Sequence, residues 1–219
     1  MFAEDLAALG RVAGDRWGLV TTSQAEAEGV SRLRVSRLAA KGFLIPVQRG
    51  VYRILGAPEQ EHEAIIASWL NLGGDTAEPS PSGAPGLVVA GVDATILHQA
   101  GDFYPEGHEY IAPRRKTSRR PDVRIRIEDL TPEDITRVDA LPVLTIEKTV
   151  ADLLASWMEK SLVVRVVRDA TLDGRLVRPH QLPIALDPIA RRHGFDSGLH
   201  MTQWLFDQAG IQPLGRLAA

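Results

Sequence analysis

Arg32, Arg34 and Arg37 fall within six residues of each other in the stretch SRLRVSRLAAKG, residues 31–42. A guanidinium is planar, permanently charged and carries a fork of donors that can meet O6 and N7 of one guanine together. Three such groups on a short helix suit the reading of base edges in a DNA major groove. Ser31 and Lys41 flank them and suit phosphate contacts. Thr21, Thr22 and Ser23 precede a shorter helix whose N-terminal amides and hydroxyls offer a second phosphate contact. Gln48 and Arg49, next to Gly50, occupy a predicted hairpin tip that can press on the DNA backbone or enter the minor groove. The competing readings are a merely solvated basic helix face and a helix-turn-helix that binds only protein.

A second basic cluster follows. Arg114, Arg115, Lys116, Arg119 and Arg120 lie within seven residues, with Arg124 and Arg126 on the next predicted strand. This set suits a platform for phosphates, each contact adding about one unit to the salt dependence of binding. A solvated loop or a docking surface for an acidic partner fits the same composition. Residues 128–159 are by contrast rich in Asp and Glu.

These residues need a scaffold, and the pattern supplies one. Leu6, Leu9, Val12 and Ala13 have helical spacing, and LVTT at 19–22 is extended. Ser23 with Glu26 three residues on reads as a capping box, and Gly29 stops the short helix it opens. Ser31 caps the next helix, with Val30, Leu33, Val35 and Leu38 assigned to its inner face and Gly42 at its end. FLIPVQRGVYRIL then reads as a hairpin turning at Arg49–Gly50. That order is a winged helix-turn-helix. The fold class predicted is α+β: a winged helix-turn-helix at 1–56, then a larger mixed α/β domain at 60–219. A helix at 61–72 is assigned to that second domain. The Gly-, Pro- and Ser-rich stretch 73–86 reads as a flexible loop. Strands are expected at 109–113, 122–130 and within 135–146, and helices at 146–157, 162–172, 182–193 and 199–209, before a loose tail.

The chain has 219 residues, 44% of them hydrophobic, and a net charge of −3, so any contact with nucleic acid depends on a local patch. Residues 1–56 carry eight basic against five acidic residues, the excess concentrated after residue 30. There is no cysteine, which removes disulfides and thiolate metal sites. No apolar run is long enough to span a membrane and the N-terminus does not read as a secretory signal, so a cytoplasmic location is expected. The six histidines show neither i, i+4 pairing nor an HExxH frame, so no metal site is expected. Asp122 with Glu147–Lys148 hints at a metal-dependent nuclease, but the lysine follows the glutamate directly and the frame fails. No catalytic residue, cofactor or enzymatic activity is expected. Trp17, Trp69, Trp157 and Trp204 are expected as core anchors.

The segment TTSQAEAEGVSRLRVSRLAAKGFLIPVQRGVYRI resembles the N-terminal winged helix of the AbiEi antitoxins, with its TT-xxA-xxxGVS start and RGVY end. YIAPRRKTSRRPDVRIR and LPVLTIEKTVADLLA are similar to the basic segment and the LPV-T signature of the same family. The resemblance covers most of residues 18–172. It implies the antitoxin of a type IV toxin–antitoxin pair that represses its own operon through the winged helix. The implied partners are double-stranded operator DNA with inverted repeats and a nucleotidyltransferase-like toxin, countered without a tight inhibitory complex. A monomer on each half-site and a homodimer are both compatible with this. The alternative is a protein-interaction module that neutralises the toxin by binding it directly.

Overall fold

A computed structural model describes residues 2–212 and divides into two compact units, Met1–Thr76 and Ala77–Ala219. In the first unit, helix α1 (Phe2–Gly14) leads to strand β1 (Leu19–Thr21), helices α2 (Thr22–Ala27) and α3 (Arg32–Ala40), strands β2 (Leu44–Gln48) and β3 (Val51–Ile54), and helix α4 (Glu63–Asn71). The strands form one antiparallel sheet in the order β1-β3-β2. Leu9, Val20, Ala25, Val30, Val35, Leu38 and Leu44 fill the core between helices and sheet. Val35 and Leu38 are three residues apart and therefore share one helix face. Leu33 does not join them, contrary to its expected inward placement. At 100° per residue it falls on the opposite side, where it is 60% exposed.

The capping box is real but sits in a different frame. Thr21, not Ser23, is the N-cap of α2: its hydroxyl accepts from the Gln24 amide, and the Gln24 side chain accepts from the Thr21 amide. The pairing of β1 with β3 selects this frame, because it carries extended backbone up to Thr21. Gly29 and Gly42 have positive φ and end α2 and α3 as the sequence suggests.

Helix α4 belongs with the winged helix, so the compact units divide near residue 76 and not near 57–60. It packs on all three strands of the first sheet, and Arg53 of β3 holds Glu63 at 2.9 Å. Asp75 closes the unit by accepting from Arg16 at 2.8 Å and Gln24 at 2.7 Å. Trp17 and Trp69 stack edge to face with ring centroids 6.2 Å apart.

The second unit is built on a five-stranded mixed sheet. Its strands are β4 (Val88–Val89), β5 (His108–Ala112), β6 (Val123–Ile127), β7 (Ile135–Val138) and β8 (Leu141–Leu144), in the order β6-β5-β4-β8-β7. The β4–β8 and β5–β6 pairs are parallel, the other two antiparallel. Helices α5 (Gly91–Leu97), α6 (Ile146–Ala155), α7 (Lys160–Leu172), α8 (Gln181–Ala190) and α9 (Gly198–Ala209) complete it. Val150, Leu154, Val163, Val167, Leu186, Met201, Leu205 and Phe206 are buried together among α6 to α9. Helices α8 and α9 approach so closely at Gly198 that an added Cβ would lie 2.0 Å from the Pro183 carbonyl oxygen. The mixture of helix and sheet is the expected α+β class.

Two expectations about this unit are corrected. The segment 73–86 is built into the fold: Ser80 and Ala84 are buried, and Ser82 donates to the Leu130 carbonyl at 2.7 Å. Small residues there permit close packing, and composition alone does not separate that from flexibility. Trp157 is 67% exposed and not a core anchor, because its backbone turns into the left-handed region at φ 62° between α6 and α7. The expected tail at 213–219 lies outside the described residues. Among the described residues no helix is long and apolar enough to cross a membrane.

Candidate nucleic-acid interface

Helix α3 presents its outer face through Ser31, Arg32, Leu33, Ser36, Arg37 and Ala40, all exposed. The anchoring side is fixed by Val35 and Leu38, at 2% and 1% exposure. The three arginines differ in their surroundings. Arg37 has no hydrogen-bond or ion-pair partner among the described residues and is free to reach outward. Arg32 forms a two-point pair with Glu26 of α2, at 2.9 and 3.2 Å on the open surface. Such an exposed pair is worth well under about 1 kcal/mol and exchanges readily for another anion. Arg34 is half-buried on the flank of the helix. It holds Asp5 of α1 at 2.7 Å and also donates to the Gly29 carbonyl.

Asp5 is 8% exposed, so removing Arg34 strands a nearly buried carboxylate. Arg34→Ala is expected to cost about 1–2 kcal/mol and to lower the melting temperature by several degrees. Thermal unfolding followed by circular dichroism measures this. An unchanged midpoint would show that the Asp5 pair has no structural weight.

The residues ahead of α2 divide likewise. Thr21 is buried and consumed by the capping box. Thr22 donates its backbone N–H, at 2.8 Å, and its hydroxyl, at 3.2 Å, to the Gly50 carbonyl, which ties α2 to the wing tip. Ser23 is exposed, with its Oγ 3.4 Å from that of Thr21. Ser31 caps α3 by position but makes no side-chain cap bond, leaving an exposed hydroxyl at the helix N-terminus. Lys41 is exposed, its Nζ 4.9 Å from the centre of the Phe2 ring.

In the wing, β2 and β3 join through Arg49 and Gly50, with a register shift between Pro46 and Gln48. Gly50 has φ +83°, a conformation that L side chains rarely adopt, which accounts for glycine at this turn. Arg49 is exposed at the tip, and its carbonyl accepts from Asn71 at 3.2 Å. Gln48 is half-buried at the end of β2. The wing is therefore braced by α2 and α4, both within the first unit.

The second basic cluster is largely self-neutralised. Arg126 is half-buried and binds Asp152 through both terminal nitrogens, with Glu109 3.8 Å away. Burial pulls down the pKa of this guanidinium, and the hydrogen bonds and charge of Asp152 outweigh it, with Glu109 and Glu128 adding to the net upward shift. Arg120 grips Asp122 with two bonds and holds that carboxyl below its usual pKa. Arg114 pairs with Glu78 at 3.2 Å, and Arg124 with Glu109 at 3.8 Å. Arg115, Lys116 and Arg119 have no such partner among the described residues and form the remaining open patch.

The residues considered for a nuclease also have structural partners. Glu147 is 4% exposed and accepts from the Arg178 amide at 2.8 Å, while Lys148 holds Glu128 at 2.6 Å. Among the described residues no group of three or more His, Asp or Glu is placed to hold a metal ion.

Sequence reasoning missed Leu33 and Ser36 as outward-facing residues of α3. The available signal was their angular position relative to Val35 and Leu38. It also missed Asp5, the partner of Arg34, which lies 29 residues away along the chain.

With this arrangement, residues 8–55 match the family model described as "Transcriptional regulator, AbiEi antitoxin". Residues 8–55 of the N-terminal unit are thus similar to the AbiEi antitoxin family of transcriptional regulators. The matched segment contains the turn between α2 and α3, all of α3 and the wing. No curated protein matches the chain. The crystal structure of the RV2827C protein from Mycobacterium tuberculosis is similar, with a TM-score of 0.52 and 19% sequence identity. That similarity covers 93% of this chain and 76% of that one and concerns the fold alone.

Proposed function

We propose that this protein is the antitoxin of a type IV toxin–antitoxin pair and represses its own operon by binding operator DNA through α3 and the wing. The observation that supports this most directly is the outer face of α3. It holds Arg37 without an internal partner and Arg32 in an exchangeable pair, beside a wing tip fixed to α2 through Thr22 and Gly50. In this reading Arg37 and Arg32 reach base edges, while Ser23, Ser31, Lys41 and Arg49 hold phosphates. Arg34, Thr21 and Thr22 position the elements, and Gln48 supports the wing. Arg115, Lys116 and Arg119 are a separate phosphate-contacting patch of the second unit. The protein acts in the cytoplasm by binding, with no catalytic step, and counters a nucleotidyltransferase-like toxin. It meets the inverted repeats as a monomer on each half-site or as a homodimer.

The test combines two measurements on the full chain. A gel shift with the promoter segment upstream of its own reading frame is expected to show retention that survives excess unrelated duplex. Co-expression with the toxin encoded beside it is expected to restore growth. Retention no stronger than that of the unrelated duplex would defeat the repressor reading.

Direct capture of the toxin is the second reading. Trp157 favours it, being largely exposed, packed at a tilt against His193 with ring centroids 4.8 Å apart and capped by the Arg192 guanidinium at 5.3 Å. Fixed tryptophan and arginine side chains are typical anchors of protein interfaces. Co-elution of the two proteins in size exclusion, lost in Trp157→Ala, would support this reading over indirect neutralisation.

A further inference from the structure

The outer face of α3 is centred on a hydrocarbon, not on a charge. The buried residues Val35 and Leu38 define the inward direction, and Leu33 stands opposite them at 60% exposure. Ser36 and Ala40 follow at the i+3 and i+7 positions of the same face, both exposed and both short. Arg32, Arg37 and Lys41 surround this strip with positive charge. Small residues beside a single protruding leucine let the helix approach a surface closely while one isobutyl group reaches ahead of the backbone. The cationic border selects an anionic partner. Within a DNA major groove the apolar feature available to such a side chain is the thymine C5-methyl group. Leu33 is the second residue of α3, where a recognition helix meets base edges.

We propose that Leu33 is a specificity-determining residue that reads the C5-methyl of a thymine, with Arg37 taking an adjacent guanine. This rests on the DNA-binding reading above and adds a base to it. The leucine has no structural task that would explain its exposure, since it contributes nothing to the core of the unit.

The experiment uses the full chain and duplex DNA that it selects from a random library. Each thymine of the selected site is replaced in turn by deoxyuridine, which lacks only the methyl. The wild type is expected to lose about fourfold in affinity at one thymine per half-site, the amount associated with one buried methyl. Leu33→Ala is expected to bind the thymine and deoxyuridine duplexes equally. Leu33→Gln is expected to reselect adenine at that position, because its amide can pair with adenine N6 and N7. Circular dichroism should be unchanged in both variants, as the residue is exposed. Specific binding by the wild type with no deoxyuridine-sensitive position, or the same sensitivity in Leu33→Ala, would overturn the role of Leu33 and leave the DNA-binding reading intact. Failure of the wild type to enrich any sequence would overturn both.

Discussion

Replacing Arg37 with alanine is expected to weaken sequence-specific DNA binding about 5- to 150-fold, the range for losing one two-point arginine–guanine contact at about 1–3 kcal/mol. Arg37 is exposed and has no partner among the described residues, so its removal strands no other group. The thermal midpoint should therefore hold, as for other surface changes that stay within about 0.5 kcal/mol. Affinity for unrelated duplex should fall far less than affinity for the selected site. Lys41→Ala provides the contrast. As a phosphate contact it should weaken all duplexes alike and reduce the salt slope by about one. Fluorescence anisotropy across a salt series, with selected and unrelated duplexes, distinguishes the two patterns. Equal losses by Arg37→Ala on both duplexes would place Arg37 at a phosphate instead of a base.

The largest stability effect is expected at Arg126. Asp152 is 4% exposed and is satisfied by two donors: the Arg126 guanidinium and the Gly91 amide, at 3.0 Å, which opens α5. Arg126→Ala would leave a buried carboxylate in the second unit with no countercharge on its guanidinium side and the Gly91 amide as its remaining donor. Breaking such a pair from one side costs about 3–5 kcal/mol. Removing the charge from both sides should cost less. In Arg126→Met combined with Asp152→Asn, the amide oxygen still accepts from Gly91 and no unpaired ion remains. The double variant is expected to be more stable than Arg126→Ala alone, a non-additivity typical of contacting residues. Urea unfolding at equal slope measures both. A single-variant loss below about 1 kcal/mol would show that the carboxylate is relieved by solvent or by another cation. The outcome also bears on the second basic cluster, because it assigns Arg126 to structure and removes it from any surface that contacts phosphate.

The order of elements in the first unit was legible because its boundaries are chemical. Glycines in the left-handed region end α2 and α3, and the Arg49–Gly50 turn defines the wing. Orientation within α3 was harder to read. Leu33 and Leu38 are identical side chains with opposite fates, and only the phase fixed by Val35 separates them. The fate of Arg34 depended on Asp5 in another helix, a relation that no local pattern carries. The same holds for α4, whose apolar face says that it packs but not on what. In the second unit, β4 has two residues and owes its place at the centre of the sheet to flanking strands that are distant in sequence. The alternation in 123–127 correctly suggested a strand. It also made Arg126 look like a solvent-facing residue, although this arginine turns back to meet a carboxylate from α6.

The carboxylate of Asp75 has a practical consequence for anyone who wishes to work with the winged-helix part in isolation. It joins Arg16 and Gln24, and Gln24 is also half of the reciprocal bond that starts α2. A fragment cut after residue 56, just past the last wing strand, would lose this anchor together with Ile65 and Trp69 and both carboxylates that hold Arg53. Its uncovered sheet would invite self-association, and weak binding by such a piece would say little about the intact molecule. The shortest fragment that keeps the unit whole runs through Thr76.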